Sequence, residues 1–190
     1  LPGGEGKSNP NFATLPETPY SLAASRNEVV AGHGNIATFL NVLGKVTRLR
    51  DYGLPIAELA YRGPESESPQ ALVATRDGRL HVHDEKRGLL GIVETGLDPL
   101  QGLCVGQRFA ALVGEKGLVV VDLETRQVID RLDLSGLGIE VGGVGISPEE
   151  DALAIGTEDG QVLRYDLTLP GRATIPTIEV KQAWGERRGR

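Results

Sequence analysis

The sequence predicts an all-β fold of about four four-stranded antiparallel units, and three observations carry that expectation. Glycine supplies 26 of the 190 residues, about twice its usual share, and is scattered between short apolar runs, as many tight turns require. An apolar hairpin with glycine in its turn recurs along the chain, the turn glycines Gly34, Gly78, Gly117 and Gly160 falling 44, 39 and 43 residues apart. One more apolar run precedes each hairpin and another follows it, which makes four strands per unit.

The elements follow in chain order. Residues 1–19, with four prolines and three glycines, read as an extended arm or linker. The first unit, 20–53, carries runs at 21–24, 28–31, 36–42 and 46–50. Its hairpin lacks the Asp that precedes Gly78 and Gly160, which leaves its register open. The second unit, 54–98, has a run at 56–61, the hairpin 71–84 and a last run at 89–94. The third, 99–138, has 100–105, the hairpin 111–122 and 127–132; the fourth, 139–180, has 141–146, the hairpin 153–166 and 175–180. Asp-Gly between two apolar runs is a strong hairpin signal, because glycine adopts the positive φ such a turn needs. Residues 181–190 are a short basic tail with Lys181, Arg187, Arg188 and Arg190 around Trp184, read as a solvated end rather than a phosphate contact.

Composition narrows the function classes. With 39% hydrophobic and 24% charged residues the chain can bury a core in water, and no run of about 18 apolar residues suggests a membrane span. The N-terminus lacks the basic-then-apolar order of an export signal. A formal net charge of −6 repels a phosphate backbone, so nucleic acid is not an expected partner. Cys104 is alone, which excludes an intramolecular disulfide or a cysteine zinc cage within one copy and fits a cytoplasmic, reducing compartment. Methionine is absent even at position 1, as expected of a segment of a longer or processed product.

The hairpins align residue by residue. From Thr75 and Thr157 onward, 75–84 lies on 157–166 without a gap, sharing Thr, Asp-Gly and the final Asp. Residues 144–166 run strand, Ser147-Pro148-acidic turn, apolar strand, Asp159-Gly160 turn, then a strand ending in Tyr165-Asp166. This stretch resembles a WD-repeat blade; the resemblance is close over 144–167 and 71–84, partial over 100–122 and faint before 50. It implies a β-propeller, in which blades ring a central channel and face loops hold partner proteins. The pattern departs from that family at two places. Gly32-His33 falls inside a turn rather than at the start of a unit, and His83, Val121 and Tyr165 stand where Trp precedes Asp. The family's Asp–His–Ser/Thr–Trp network is therefore not transferred to this chain.

Four propeller-type blades raise the question of closure, since open sheet edges invite pairing with another chain. A closed four-bladed ring, a ring completed by a second copy or another protein, and a piece of a larger parent are the three solutions. WD-repeat rings usually have about seven blades, which favours a partial propeller completed elsewhere.

Candidate site residues are few. His81 and His83, two apart on one strand, share a face, but a metal needs a third ligand; His33 is the only other histidine and belongs to another unit, so no metal site is expected. The innermost strands carry one carboxylate, Glu58, and no histidine, which argues against catalysis. Cys104 has no neighbouring base and reads as a structural thiol. The charged turn residues Arg76, Asp77, Glu115, Lys116, Glu158 and Asp159, with His33 at the equivalent position of the first unit, should ring one face and form the expected partner-binding set. Solvated turn residues are the plain alternative reading of the same pattern. The acidic loop 63–70 is either a docking element or filler. The sequence thus predicts a non-catalytic protein-interaction scaffold without cofactor, its ring completed by a protein partner or a second copy. The competing expectation is a small closed propeller that binds or hydrolyses a small ligand in its channel.

Overall fold

The computed structural model describes residues 13–15, 17–115, 117–135 and 140–167, and every regular element among them is a β-strand. The first sheet comprises β1 (Ser21–Ala24), β2 (Glu28–His33), β3 (Ile36–Asn41) and β4 (Val46–Asp51). The second comprises β5 (Ile56–Arg62), β6 (Gln70–Thr75), β7 (Arg79–Asp84) and β8 (Gly88–Glu94). The third comprises β9 (Leu100–Val105), β10 (Phe109–Gly114), β11 (Gly117–Asp122) and β12 (Gln127–Asp133). The fourth has three strands among the described residues: β13 (Val141–Ile146), β14 (Ala152–Thr157) and β15 (Val162–Asp166). The expected strand at 175–180 and the tail 181–190 lie outside the described residues. Among the described residues no helix is long and apolar enough to cross a membrane.

Each sheet is an antiparallel meander whose strands pair in sequence order. The repeat is structural in detail. The register shifts by one residue between the third and fourth strands at Phe39/Leu40, Val82/His83 and Val120/Val121, equivalent places in three sheets. Such bulges add local right-handed twist and re-aim the outer strand. The third strand ends in a side chain that accepts two backbone N–H bonds from the following turn. Asn41 takes those of Leu43 and Lys45, Asp84 those of Lys86 and Arg87, and Asp122 those of Glu124 and Thr125. The Asn or Asp that closes each of the first three repeats in the sequence is thus a turn-former, satisfying N–H groups that the ladder leaves over. Hydrogen bonds from those N–H groups and from Arg108 outweigh partial burial and hold the Asp122 carboxyl below the usual carboxylate range.

The sheets pack face to face in chain order. Val30, Ala37 and Phe39 of the first meet Ile56, Leu59, Tyr61 and Val73 of the second. Leu72, Leu80 and Val82 meet Leu100, Leu112, Val119 and Val121 of the third, whose other face sets Ala111, Val113, Leu118 and Val120 against Leu153, Ile155 and Leu163 of the fourth. The middle strands of the second and third sheets are buried on both faces; all six residues of β11 are buried, which is why it reads as an unbroken apolar run. First strands lie side by side, β1 against β5, β5 against β9 and β9 against β13. One buried charged cluster bridges the first two sheets: Arg48 pairs with Glu28 at 3.1 Å and lies over the Phe39 ring, while the Tyr61 hydroxyl donates to Glu28 at 2.9 Å.

Candidate partner-binding surfaces

The turns between second and third strands sit at one end of the sheets, and each is tied to an inter-sheet connection there. Gly34 O accepts from Ile56 N at 2.9 Å, Arg76 N donates to Pro55 O and Arg76 O accepts from Leu100 N, and Glu158 N donates to Glu140 O. Gly78 O takes both the backbone N–H and the hydroxyl of Thr95. Backbone groups hold this end together, leaving side chains of Arg76, Glu115, Glu158 and Asp159 exposed. Asp77 is partly buried and Asp159 exposed, and both are occupied locally. Asp77 accepts from the Thr75 hydroxyl at 2.6 Å and pairs with Arg79, and Asp159 accepts from the Thr157 hydroxyl and from Gln161 Nε2. The Thr157 hydroxyl holds the Asp159 carboxyl below its ordinary range. These acids therefore serve their own turns first, as the plain reading of the pattern holds. Lys116 lies outside the described residues.

His33 sits differently from the rest of the set. It is the last paired residue of β2, opposite Ile36, so the turn proper is Gly34 and Asn35. Its ring is buried, with Nε2 on the Thr38 hydroxyl at 2.8 Å, and it is not presented to the surface as the other members are. In the Thr-x-Asp-Gly turns five residues separate the last paired positions, Ala74–Leu80 and Gly156–Val162, and here two do, which moves the equivalent position inward.

His81 and His83 do share a face. Both rings stand edge-on to Tyr52, at centroid distances of 4.7 and 5.9 Å, and the Tyr52 hydroxyl is hydrogen-bonded to His83 Nε2 at 2.9 Å. Burial, with Arg50 and Arg48 nearby, pushes His83 down to about 3, so its ring is neutral and packs as an aromatic. Among the described residues no group of three or more His, Cys, Asp or Glu side chains is placed to hold a metal ion. Cys104, on β9, packs toward the fourth sheet, and burial pushes its thiol up to about 11. A thiol so raised is a poor nucleophile.

Glu58 lines a cleft of about 240 Å³ between first strands, with Gln101, Gly102, Val141, Gly142 and Gly143 on its walls. One carboxylate oxygen accepts from the Ser21 hydroxyl at 2.7 Å. The cleft is polar and small, and carries no second titratable side chain.

Sequence reasoning missed the outer face of the last sheet. Hydrogen-bond register places Gly145, Ala154 and Arg164 in one row across it, Gly143, Gly156 and Val162 in the next, and Ala152 beside Asp166. Ala154 is exposed, Val162 is 46% exposed and the Arg164 side chain 65% exposed. In the second sheet the residues aligned with Ala154, Val162 and Arg164 are Leu72, Leu80 and Val82, all fully buried against the third. The shrinkage to Ala and the change to Arg were visible in the alignment. They are the signal that this face is not packed on another apolar sheet. The far face of the first sheet is unlike it: Ala31, Thr38 and Leu40 at its centre are at most 2% exposed, while Leu22 and Leu49 on its outer strands are open.

No protein-family model and no curated protein matches the chain. Similarity to solved structures is broad, with 1155 chains alike, so the arrangement of sheets is a widely used one. One of them is the crystal structure of the computationally designed Ika4 protein, 19% identical, with a TM-score of 0.67 over 82% of this chain and 96% of that one. At that identity the likeness is one of fold: repeated antiparallel sheets packed face to face.

Proposed function

We propose that the chain is a non-catalytic protein-interaction scaffold, a WD-repeat-like set of propeller-type blades that does not close a ring by itself. The observation that carries this reading is the exposed outer face of the last sheet, beside three inter-sheet faces that are fully packed. A solvated sheet face of Gly, Ala and Val is a surface that a partner can cover at little desolvation cost. The exposed turn residues Arg76, Glu115, Glu158 and Asp159 supply charged contacts at one end. The test is cross-linking of the full chain in an extract of its source cells, followed by co-expression with the protein recovered. The expected result is a complex that co-purifies with the wild type and is lost either in Val162→Glu or in the triple variant Arg76→Glu, Glu115→Lys, Glu158→Lys. A complex indifferent to both sets of changes would overturn the assignment of surfaces, and turnover of a small molecule dependent on Glu58 would overturn the scaffold itself.

A second reading rests on the Glu58 cleft: a small propeller that holds a small ligand along its axis. It is favoured by a carboxylate with one oxygen engaged by Ser21 and a cleft wall free of bulky side chains at Gly102, Gly142 and Gly143. A ligand-induced rise in melting temperature that Glu58→Gln abolishes would support it, and its absence across a panel of small amines and sugars would remove it.

A further inference from the structure

The outer face of the last sheet has a charge pattern that is complementary to itself. Arg164 and Asp166 stand two apart on β15 and so project from the same face, roughly 7 Å apart along the strand. Arg164 Nε donates to Asp166 Oδ1 at 3.1 Å, and the two side chains are 65% and 55% exposed. That contact uses one of the five guanidinium N–H groups and one carboxylate oxygen, leaving both groups able to make a second pair. A two-fold axis lying in the plane of contact and crossing β15 at the level of Tyr165 lays this face on its own copy with the two β15 strands antiparallel. Arg164 of one chain then meets Asp166 of the other, twice. Around these charges the surface is flat. A Cβ built at Gly143 or Gly145 would meet nothing within 4 Å, and one at Gly156 only a backbone oxygen at 3.9 Å. Beside them runs a groove of about 440 Å³ bordered by Gly145, Ser147, Ala152, Ala154 and Val162.

The opposite end of the molecule does not offer a matching seat. A head-to-tail contact would lay this face on the far side of the first sheet, whose central residues Ala31, Thr38 and Leu40 are already buried. An open face at one end and a covered one at the other favour contact of like with like, the isologous geometry of two-fold dimers. We propose that the outer face of the last sheet, Gly143, Gly145, Ala154, Val162, Arg164 and Asp166, is the interface of a two-fold homodimer locked by reciprocal Arg164–Asp166 pairs. This rests on the scaffold reading and names its first partner as a second copy of the chain.

The test uses the purified full chain and two exposed substitutions, R164D and D166R. Light scattering of the wild type is expected to give twice the 20.2 kDa of one chain. Each variant alone sets like charge against like charge at both pairs, and on dilution should dissociate at protein concentrations at least about tenfold higher than the wild type does, or be monomeric outright. An equimolar mixture of the two restores opposite charges across the axis, and native mass spectrometry should find the mixed dimer in preference to either homodimer. That preference cannot come from a purely intrachain role of the pair, and melting temperatures within a few degrees of wild type show that both variants are folded. A wild type that stays monomeric at high concentration overturns the proposal. So does a mixture that fails to associate, or a dimer broken by Leu49→Glu but untouched by R164D and D166R, which would mean contact through the far face of the first sheet instead. The scaffold reading is judged separately, by the cross-linked partner.

Discussion

Gly78 and Gly34 occupy equivalent turns yet differ in what surrounds them. Both have positive φ, +82° and +59°, but a Cβ at Gly78 would lie 2.1 Å from the Leu97 carbonyl oxygen, whereas one at Gly34 meets nothing within 4 Å. Gly34→Ala should therefore cost about 1 kcal/mol, the left-handed penalty alone, and Gly78→Ala about 2–4 kcal/mol, since backbone must move as well. Urea unfolding of the two variants measures the contrast, and equal losses would contradict it. His83 sets a pH dependence whose sign follows from burial. Its folded value near 3 lies below the unfolded value of about 6.5, so between them the unfolded chain binds the extra proton and stability falls as pH drops. His83 should contribute a slope of up to about 1.4 kcal/mol per pH unit in that window and none above it. The difference between wild type and His83→Gln in urea midpoints, followed from neutral pH downward, isolates this contribution from the carboxylates.

Between elements, sheets are joined by polar stitches as well as by apolar faces. At the end opposite the charged turns, Arg26 N donates to Pro64 O, Arg62 reaches the Gln107 carbonyl, and the Glu150 carboxylate accepts backbone N–H bonds from Gln107, Arg108 and Phe109. Each link joins the first hairpin loop of one sheet to that of its neighbour. Glu150→Ala leaves those N–H groups, which are exposed or half-buried, to water and should cost about 0.5–1.5 kcal/mol. The loss should appear as faster hydrogen exchange in β13–β15 with β5–β8 unchanged, because the stitch holds only the last sheet to the third. The Glu28–Arg48–Tyr61 cluster is a stronger clamp, since Glu28 is 5% exposed. Arg48→Met leaves a buried carboxylate without its cation and should cost about 3–5 kcal/mol, with Arg48→Met plus Glu28→Gln recovering part of it. Additive losses in the double variant would show that the two groups do not interact.

For the molecule as a whole, the second and third sheets are packed on both faces, and the last on one. In a stacked array of repeats, stability is a sum of unit and neighbour contributions, so protection should be highest in β6, β7, β10 and β11 and lowest in β13–β15. Hydrogen exchange on the R164D variant, in which the proposed dimer contact is disabled, checks the ranking; uniform protection would mean that the sheets open together. The all-β class and the strand order of the first three units were legible in the amino-acid pattern, because strand alternation and turn glycines act over a few residues and leave a local trace. Asp84 and Asp122 were legible as the ends of repeats for the same reason: each completes its turn with N–H groups two and three residues away. The position of His33 was not legible because loops of two and of five unpaired residues look alike around a turn glycine, and only the pairing of His33 with Ile36 separates them. Tertiary structure alone decided what each sheet face meets. Burial of His83 under Tyr52 and the clamp of Arg48 on Glu28 depend on residues 20 to 31 positions away, and the openness of Ala154, Val162 and Arg164 is set by how the sheets pack. A local pattern cannot encode that, because the same alternation of side chains serves a packed face and a solvated one.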